Sequence, residues 1–145
     1  MLEVDDVVYV VDENLLRLGN GLTAVRKDTA VFSRPPVDEL LPQGIRDPEW
    51  IPIVGDRGWV LITTDRRLRT RPHEATLAIT HKLKVIHLHG DVGKRSAWDQ
   101  LVRVAVRWGS IEGQLARAPE GPWWLSLRRG GALAMNFAPG AAERA

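Results

Sequence analysis

The stretch Val7-Val8-Tyr9-Val10-Val11-Asp12-Glu13-Asn14-Leu15 decides how the rest of the chain is read. Five consecutive β-branched or aromatic residues make the kind of run found in a strand buried on both faces, and the run stops on two acids and an asparagine. Leu15, Leu18, Leu22 and Val25 then recur at spacings of three and four, a helical period weakened by Gly19 and Gly21. The same alternation continues outward. Residues 29–32 read as a second strand. Asp47-Pro48-Glu49-Trp50 reads as a helix start, with Asp47 at the N-cap and Pro48 at the first helical position. Residues 59–63 (WVLIT) read as a third strand, 72–83 as a helix and 84–89 as a fourth strand. Ser96 and Asp99 open a further helix that carries Trp98, Leu101, Val102, Ala105, Trp108, Ile111 and Leu115 on one face, with Arg103, Arg107 and Arg117 mostly on the other. Residues 122–127 and 132–135 are late strands. Strand–helix alternation of this kind predicts an α/β fold with a mostly parallel sheet and helices on both faces.

The 145 residues suit one globular domain, expected over residues 1–137, with a frayed tail at 138–145. No cysteine is present, which excludes a disulfide framework, a thiolate nucleophile and a zinc site with Cys ligands. The first twenty residues contain five acids and no leading basic cluster, so no signal peptide is expected, and no apolar run approaches a membrane span. A cytoplasmic protein is the resulting expectation. Sixteen of the twenty basic residues are Arg, which suits the planar fork needed for phosphate recognition and is equally what a GC-rich coding sequence gives.

In open α/β sheets, ligands sit beyond the carboxyl ends of the strands where strand order reverses. Two predicted strands end there in carboxylates, the first at Asp12-Glu13 and the third at Asp65. The helix leading into the third strand begins at that end with Asp47 and Glu49. If strands one and three are neighbours, these side chains converge into an all-oxygen site, which prefers Mg²⁺ or Mn²⁺. Each acid also has a plainer role: Asp12 and Asp47 as helix caps, Asp65 as a turn residue.

Val10-Val11-Asp12-Glu13-Asn14-Leu15 resembles the first motif of PIN-like domains. The run from Asp47 through Trp50, Ile51, Val54 and Gly58 to Val60-Leu61-Ile62-Thr63-Thr64-Asp65-Arg66 is similar to that family's acid-helix-glycine-strand-T-x-D pattern. Asp65 to Pro72, Trp98-Asp99-Gln100 and Gly121-Pro122-Trp123 extend the likeness toward VapC-related members. The resemblance implies a three-layer α/β/α fold and a metal-dependent endoribonuclease, the toxin of a type II toxin–antitoxin pair. Its metal-binding catalytic acids would be Asp12, Asp47 and Asp65, with Glu13 and Glu49 as further ligands, and its partners an RNA substrate and a cognate antitoxin. The segment between Phe32 and Arg46 is too short for the middle helix pair that carries a further acid in larger PIN domains, and Asp38, Glu39 or Glu49 stand as substitutes. An alternative is a PIN-like fold that has lost catalysis and binds RNA or protein. A phospho-receiver-like module would also place acids after strands one and three, but it needs a Lys after strand five, where Leu127-Arg128-Arg129 stand.

Arg66, Arg67, Arg69 and Arg71, directly after Asp65, read as an RNA-binding rim or as a solubilising turn. His87 and His89 alternate on the fourth strand and read as a rim or core pair. Trp50, Trp59, Trp98 and Trp108 are expected in the core. Of Trp123 and Trp124, which face opposite ways on a strand, one is expected to be exposed as a partner anchor, and the same late elements leave room for a homodimer.

Overall fold

The computed structural model describes residues 2–137; Met1 and the tail expected at 138–145 lie outside the described residues. Six strands form one sheet: β1 (Tyr9–Val11), β2 (Thr29–Val31), β3 (Val60–Thr63), β4 (Lys84–Leu88), β5 (Trp123–Arg128) and β6 (Gly131–Met135). Their spatial order is β2-β1-β3-β4-β5-β6. The first five run parallel and β6 closes the far edge antiparallel to β5. The helices are α1 (Leu16–Val25), α2 (Asp47–Asp56), α3 (Arg67–Thr70), α4 (Pro72–Thr80), α5 (Gly90–Gly93), α6 (Ala97–Val106) and α7 (Trp108–Arg117). Single 3₁₀ turns occupy Val4–Asp6 and Glu13–Leu15.

The sheet separates two apolar layers. On one face Val10, Leu61, Val85 and Trp124 pack against Trp50, Ile51 and Val54 of α2, Leu68 of α3 and Ala78 of α4. On the other, Val11, Ile62, Ile86 and Leu125 meet Leu18 and Leu22 of α1, Val92 of α5, Val104 of α6 and Ile111 of α7. This is the expected three-layer α/β/α arrangement, and it explains why β1 and β3 are continuous apolar runs: both of their faces are covered. Strand order reverses between β1 and β3, since the chain leaves β1 to one side for β2 and returns on the other for β3.

Four local expectations are corrected. Asp47 is the first residue of α2 rather than its cap; Arg46 has the extended cap conformation, and no side chain caps the helix. The single late helix is two, broken at Arg107. Gln100 and Val104 turn inward on α6, with the Gln100 amide donating to the Gly93 carbonyl at 2.9 Å. Trp98 is consequently turned out and 70% exposed, not in the core. Trp123 and Trp124 are both buried, so neither is an exposed anchor. β5 lies between β4 and β6 with both faces covered, and the Trp123 indole donates to the Ala118 carbonyl.

One close approach fixes the placement of α2. A Cβ on Gly55 would run into the carbonyl oxygen of His81 at the end of α4, so only glycine lets these two helix ends meet. The neighbouring Asp56 carboxylate is held 2.8 Å from His81 Nδ1.

Candidate active site

The site is built on a row of residues that register places side by side at the carboxyl end of the sheet. Val11 pairs with Ile62, so Asp12 follows opposite Thr63; Thr63 pairs with His87, and His87 with Ser126. Alternation along each strand turns these four toward one face of the sheet. Thr63 joins the two acids. Its hydroxyl donates to Asp12 Oδ2 at 2.9 Å and accepts from the Asp65 backbone N–H at 3.0 Å. The Asp12 N–H itself donates to the Ile62 carbonyl, extending the β1–β3 ladder to the acid.

Asp12 is half-buried, and burial raises its carboxyl above the usual carboxylate range. The Thr63 hydroxyl and the Asn14 backbone oppose that shift, while the charges of Asp65 and Glu13 add to it. Asp65 is held from the other side: Arg67 donates to Oδ1 through its backbone N–H at 2.9 Å and through Nε at 3.0 Å. The Arg67 guanidinium is thereby favoured in its charged form, chiefly by Asp65 and with a smaller contribution from Asp47. Asp47 thus feels the same cation as Asp65, though one of its oxygens accepts from the Trp50 indole at 2.9 Å.

Of the predicted site residues, the fold joins Asp12 to Asp65, while Asp47 is linked to them through the charge of Arg67. Glu13 is occupied by the Gly44 N–H at 3.2 Å, and Glu49 by Arg46 Nε at 2.9 Å. Asp38 is half-buried and Glu39 exposed in the 33–45 segment, neither with a hydrogen bond in common with Asp12 or Asp65. Among the described residues, no three His, Asp or Glu side chains come close enough together to hold a metal ion. The donors Asp12, Asp65 and Thr63 are all oxygen and suit a hard cation, and at Asp65 the exposed Arg67 guanidinium lies where such a cation would bind.

A cleft of about 780 Å³ opens beside Asp65, lined by Asn14, Asp65, Arg66, Arg67, His87 and Lys94 among others. His87 is the contributor that sequence reading set aside. It is buried, its ring lies 4.9 Å from that of Trp124, and Nε2 is 3.2 Å from the Thr64 carbonyl. A carbonyl only accepts, so Nε2 carries the proton and Nδ1 is bare in the neutral ring. Burial lowers its pKa and keeps it in that form. His89 is not on the strand; it caps α5, accepting from the Asp91 N–H. The signal that could have found His87 is its place opposite Thr63, which needs the register.

Of the predicted rim, Arg66 and Arg71 are exposed, Arg67 is on Asp65, and Arg69 donates to the Asn136 carbonyl at 3.1 Å. Exposed Lys94, Arg95 and Arg129 add positive charge beyond β4 and β5.

The family profile described as "PIN like domain" matches residues 7–90. The chain belongs to the PIN-like domain family. The PIN-like segment covers β1 to β4 and the acids Asp12, Glu13, Asp47, Glu49 and Asp65; α6 and α7 follow it, and β5 and β6 continue the sheet beyond it. No curated protein and no solved structure matches the chain. No helix among the described residues is long and apolar enough to cross a membrane.

Proposed function

We propose that this PIN-like protein is a Mg²⁺- or Mn²⁺-dependent endoribonuclease and the toxin of a toxin–antitoxin pair. The observation that carries this reading is the Asp12–Thr63–Asp65 bridge at the strand-order reversal, the position where sheets of this class bind ligands. PIN-like domains are often nucleases, which gives the fold-level support. Asp12 and Asp65, with Asp47, would hold the ion; it supplies an activated water and charge neutralisation at a phosphodiester. The protein's own part is positional. Thr63 fixes both carboxylates by donating to one and accepting from the backbone of the other. Arg66, Arg71 and Lys94 line or flank the cleft and bind phosphates without reading sequence. Arg67 must leave Asp65 for the ion to enter, a small cost for an exposed ion pair.

A second reading, a PIN-like module that binds RNA without cleaving it, is favoured by the Arg67 contact and by the lack of a three-carboxylate cluster among the described residues. One experiment separates the two: incubation of structured and unstructured RNA with the protein in Mg²⁺, Mn²⁺ or EDTA, beside Asp65→Asn. Cleavage that needs the metal and falls by more than ~100-fold in the variant supports the nuclease, because even supporting contacts around metals cost ~10–100-fold. Binding without cleavage supports the module. The toxin assignment is tested separately by expressing the chain alone and with its neighbouring gene product; arrested growth relieved by the neighbour is the expected result.

A further inference from the structure

The two edges of the sheet are finished very differently. β2 is three residues long and buried throughout, flanked by the Arg26–Asp28 ion pair at 2.8 Å and by a segment whose Ser33 N–H donates to the Leu41 carbonyl. Short length, charge and a covering segment are the devices that keep an edge from pairing with another chain. β6 is five residues long and, among the described residues, no segment covers it; it carries no charge of its own, although the Arg128 guanidinium of β5 reaches Met135 Sδ at 3.9 Å. Gly131-Ala132-Leu133-Ala134-Met135 contains no charge and no proline, and Ala132, Leu133 and Ala134 are exposed, Leu133 at 48%. The outer backbone groups of β6 have no strand partner among the described residues. Beside it lies a groove of about 450 Å³ of mixed polarity, lined by Ile79, Gln114, Pro122, Met135, Asn136 and Phe137 among others.

We propose that β6 is a self-association edge: two copies pair antiparallel through β6 about a two-fold axis at Leu133, joining their sheets into one. The occupant is a second copy because the strand is complementary to itself. A two-fold at Leu133 sets Ala132 against the partner's Ala134, twice, and Leu133 against the partner's Leu133, so small residues flank one large pair. It also sets Arg129 against the partner's Phe137 and Gly130 against the partner's Asn136, so no arginine of the β5–β6 turn meets its own copy. A two-fold interface requires that kind of self-complementary patch. The inference is independent of whether the cleft beside Asp65 cleaves RNA.

The absence of cysteine makes the register directly testable. Residues directly opposite on antiparallel strands have Cβ atoms about 4.5–5.5 Å apart, close to the span a disulfide bridges. Leu133→Cys, oxidised with oxidised glutathione, is expected to give a covalent dimer, whereas Glu112→Cys, exposed on α7, is expected to remain uncrosslinked. In sedimentation velocity across a concentration series the unmodified chain is expected to dimerise, and Leu133→Lys, which sets two like charges face to face, to remain a folded monomer with an unchanged far-UV circular dichroism spectrum. A monomer at every concentration overturns the proposal. So does a dimer that survives Leu133→Lys, which would place the interface elsewhere. So does a monomer whose β6 amides are protected from hydrogen exchange, which would mean that the chain's own residues take the edge.

Discussion

The row Asp12, Thr63, His87 and Ser126 has two halves that share one register and handle polarity in opposite ways. In the β1–β3 half each polar group is committed to its neighbour: Thr63 to Asp12, the Asp65 N–H to Thr63, Arg67 to Asp65. In the β4–β5 half, His87 turns to a backbone carbonyl, and the Ser126 hydroxyl, fully buried, has no hydrogen-bond partner among the described residues. The first half stands at the reversal of strand order, where the layers part and a ligand can reach the sheet; the second lies between two strands that continue in the same direction. Position relative to the strand-order reversal, rather than burial, therefore separates the two halves: Thr63 and Ser126 are equally buried, and among the described residues only Thr63 is partnered.

Substitutions on either side sharpen that contrast. Thr63→Val keeps the shape and removes the hydroxyl on which both acids depend. It should destabilise the fold by about 1–3 kcal/mol, the cost of leaving buried polar groups unmatched, measured by denaturant unfolding. Asp12→Asn should raise the thermal midpoint at neutral pH. The folded-state pKa of Asp12 is raised, so the wild type is most stable below the ordinary carboxylate pKa and loses stability as pH rises through the shifted one. The advantage of the amide should accordingly vanish in acid, and a midpoint difference that does not change between pH 3 and pH 7 would contradict this account. Arg67→Ala should lower the Mg²⁺ concentration needed for half-maximal cleavage by a few-fold, since it clears Asp65 of a competing cation; an unchanged or higher requirement would count against ion binding there. Ser126→Ala should have the smallest effect, within about 0.5 kcal/mol or slightly stabilising, because the hydroxyl makes no bond to lose. A cost comparable to that of Thr63→Val would erase the distinction between the halves.

Much of the fold was legible because β1, β3 and β4 are runs of Val, Ile and Leu with both faces covered, and such runs have few alternative readings. Asp12 and Asp65 were legible for a related reason: each directly follows such a run, so strand adjacency alone brings them together. What sequence could not supply was rotation and register. The apolar spacing from Trp98 to Leu115 continues across Arg107 without interruption, yet the break there reorients the helix and leaves Trp98 in solvent. Trp123 and Trp124 looked half-exposed because nothing in residues 122–127 announces that β6 will fold back beside them. His87 was passed over because one histidine in an apolar strand means little until Thr63 is known to lie opposite. The engagement of Glu13 by Gly44 and of Glu49 by Arg46 likewise depends on loop paths that no periodicity encodes.

The contact between Gly55 and the His81 carbonyl has a consequence at the far end of its helix. Eight residues separate Gly55 from Asp47, about 12 Å along the α2 axis. A rod anchored at one end turns a small displacement there into a shift of its free end, and the free end here carries the Asp47 carboxylate, whose charge acts on Arg67. The aim of that carboxylate is thus set by a residue with no side chain, one helix length away. A methyl group at position 55 would act as a wedge under the rod, shifting Asp47 relative to Arg67 while every acid stayed unchanged.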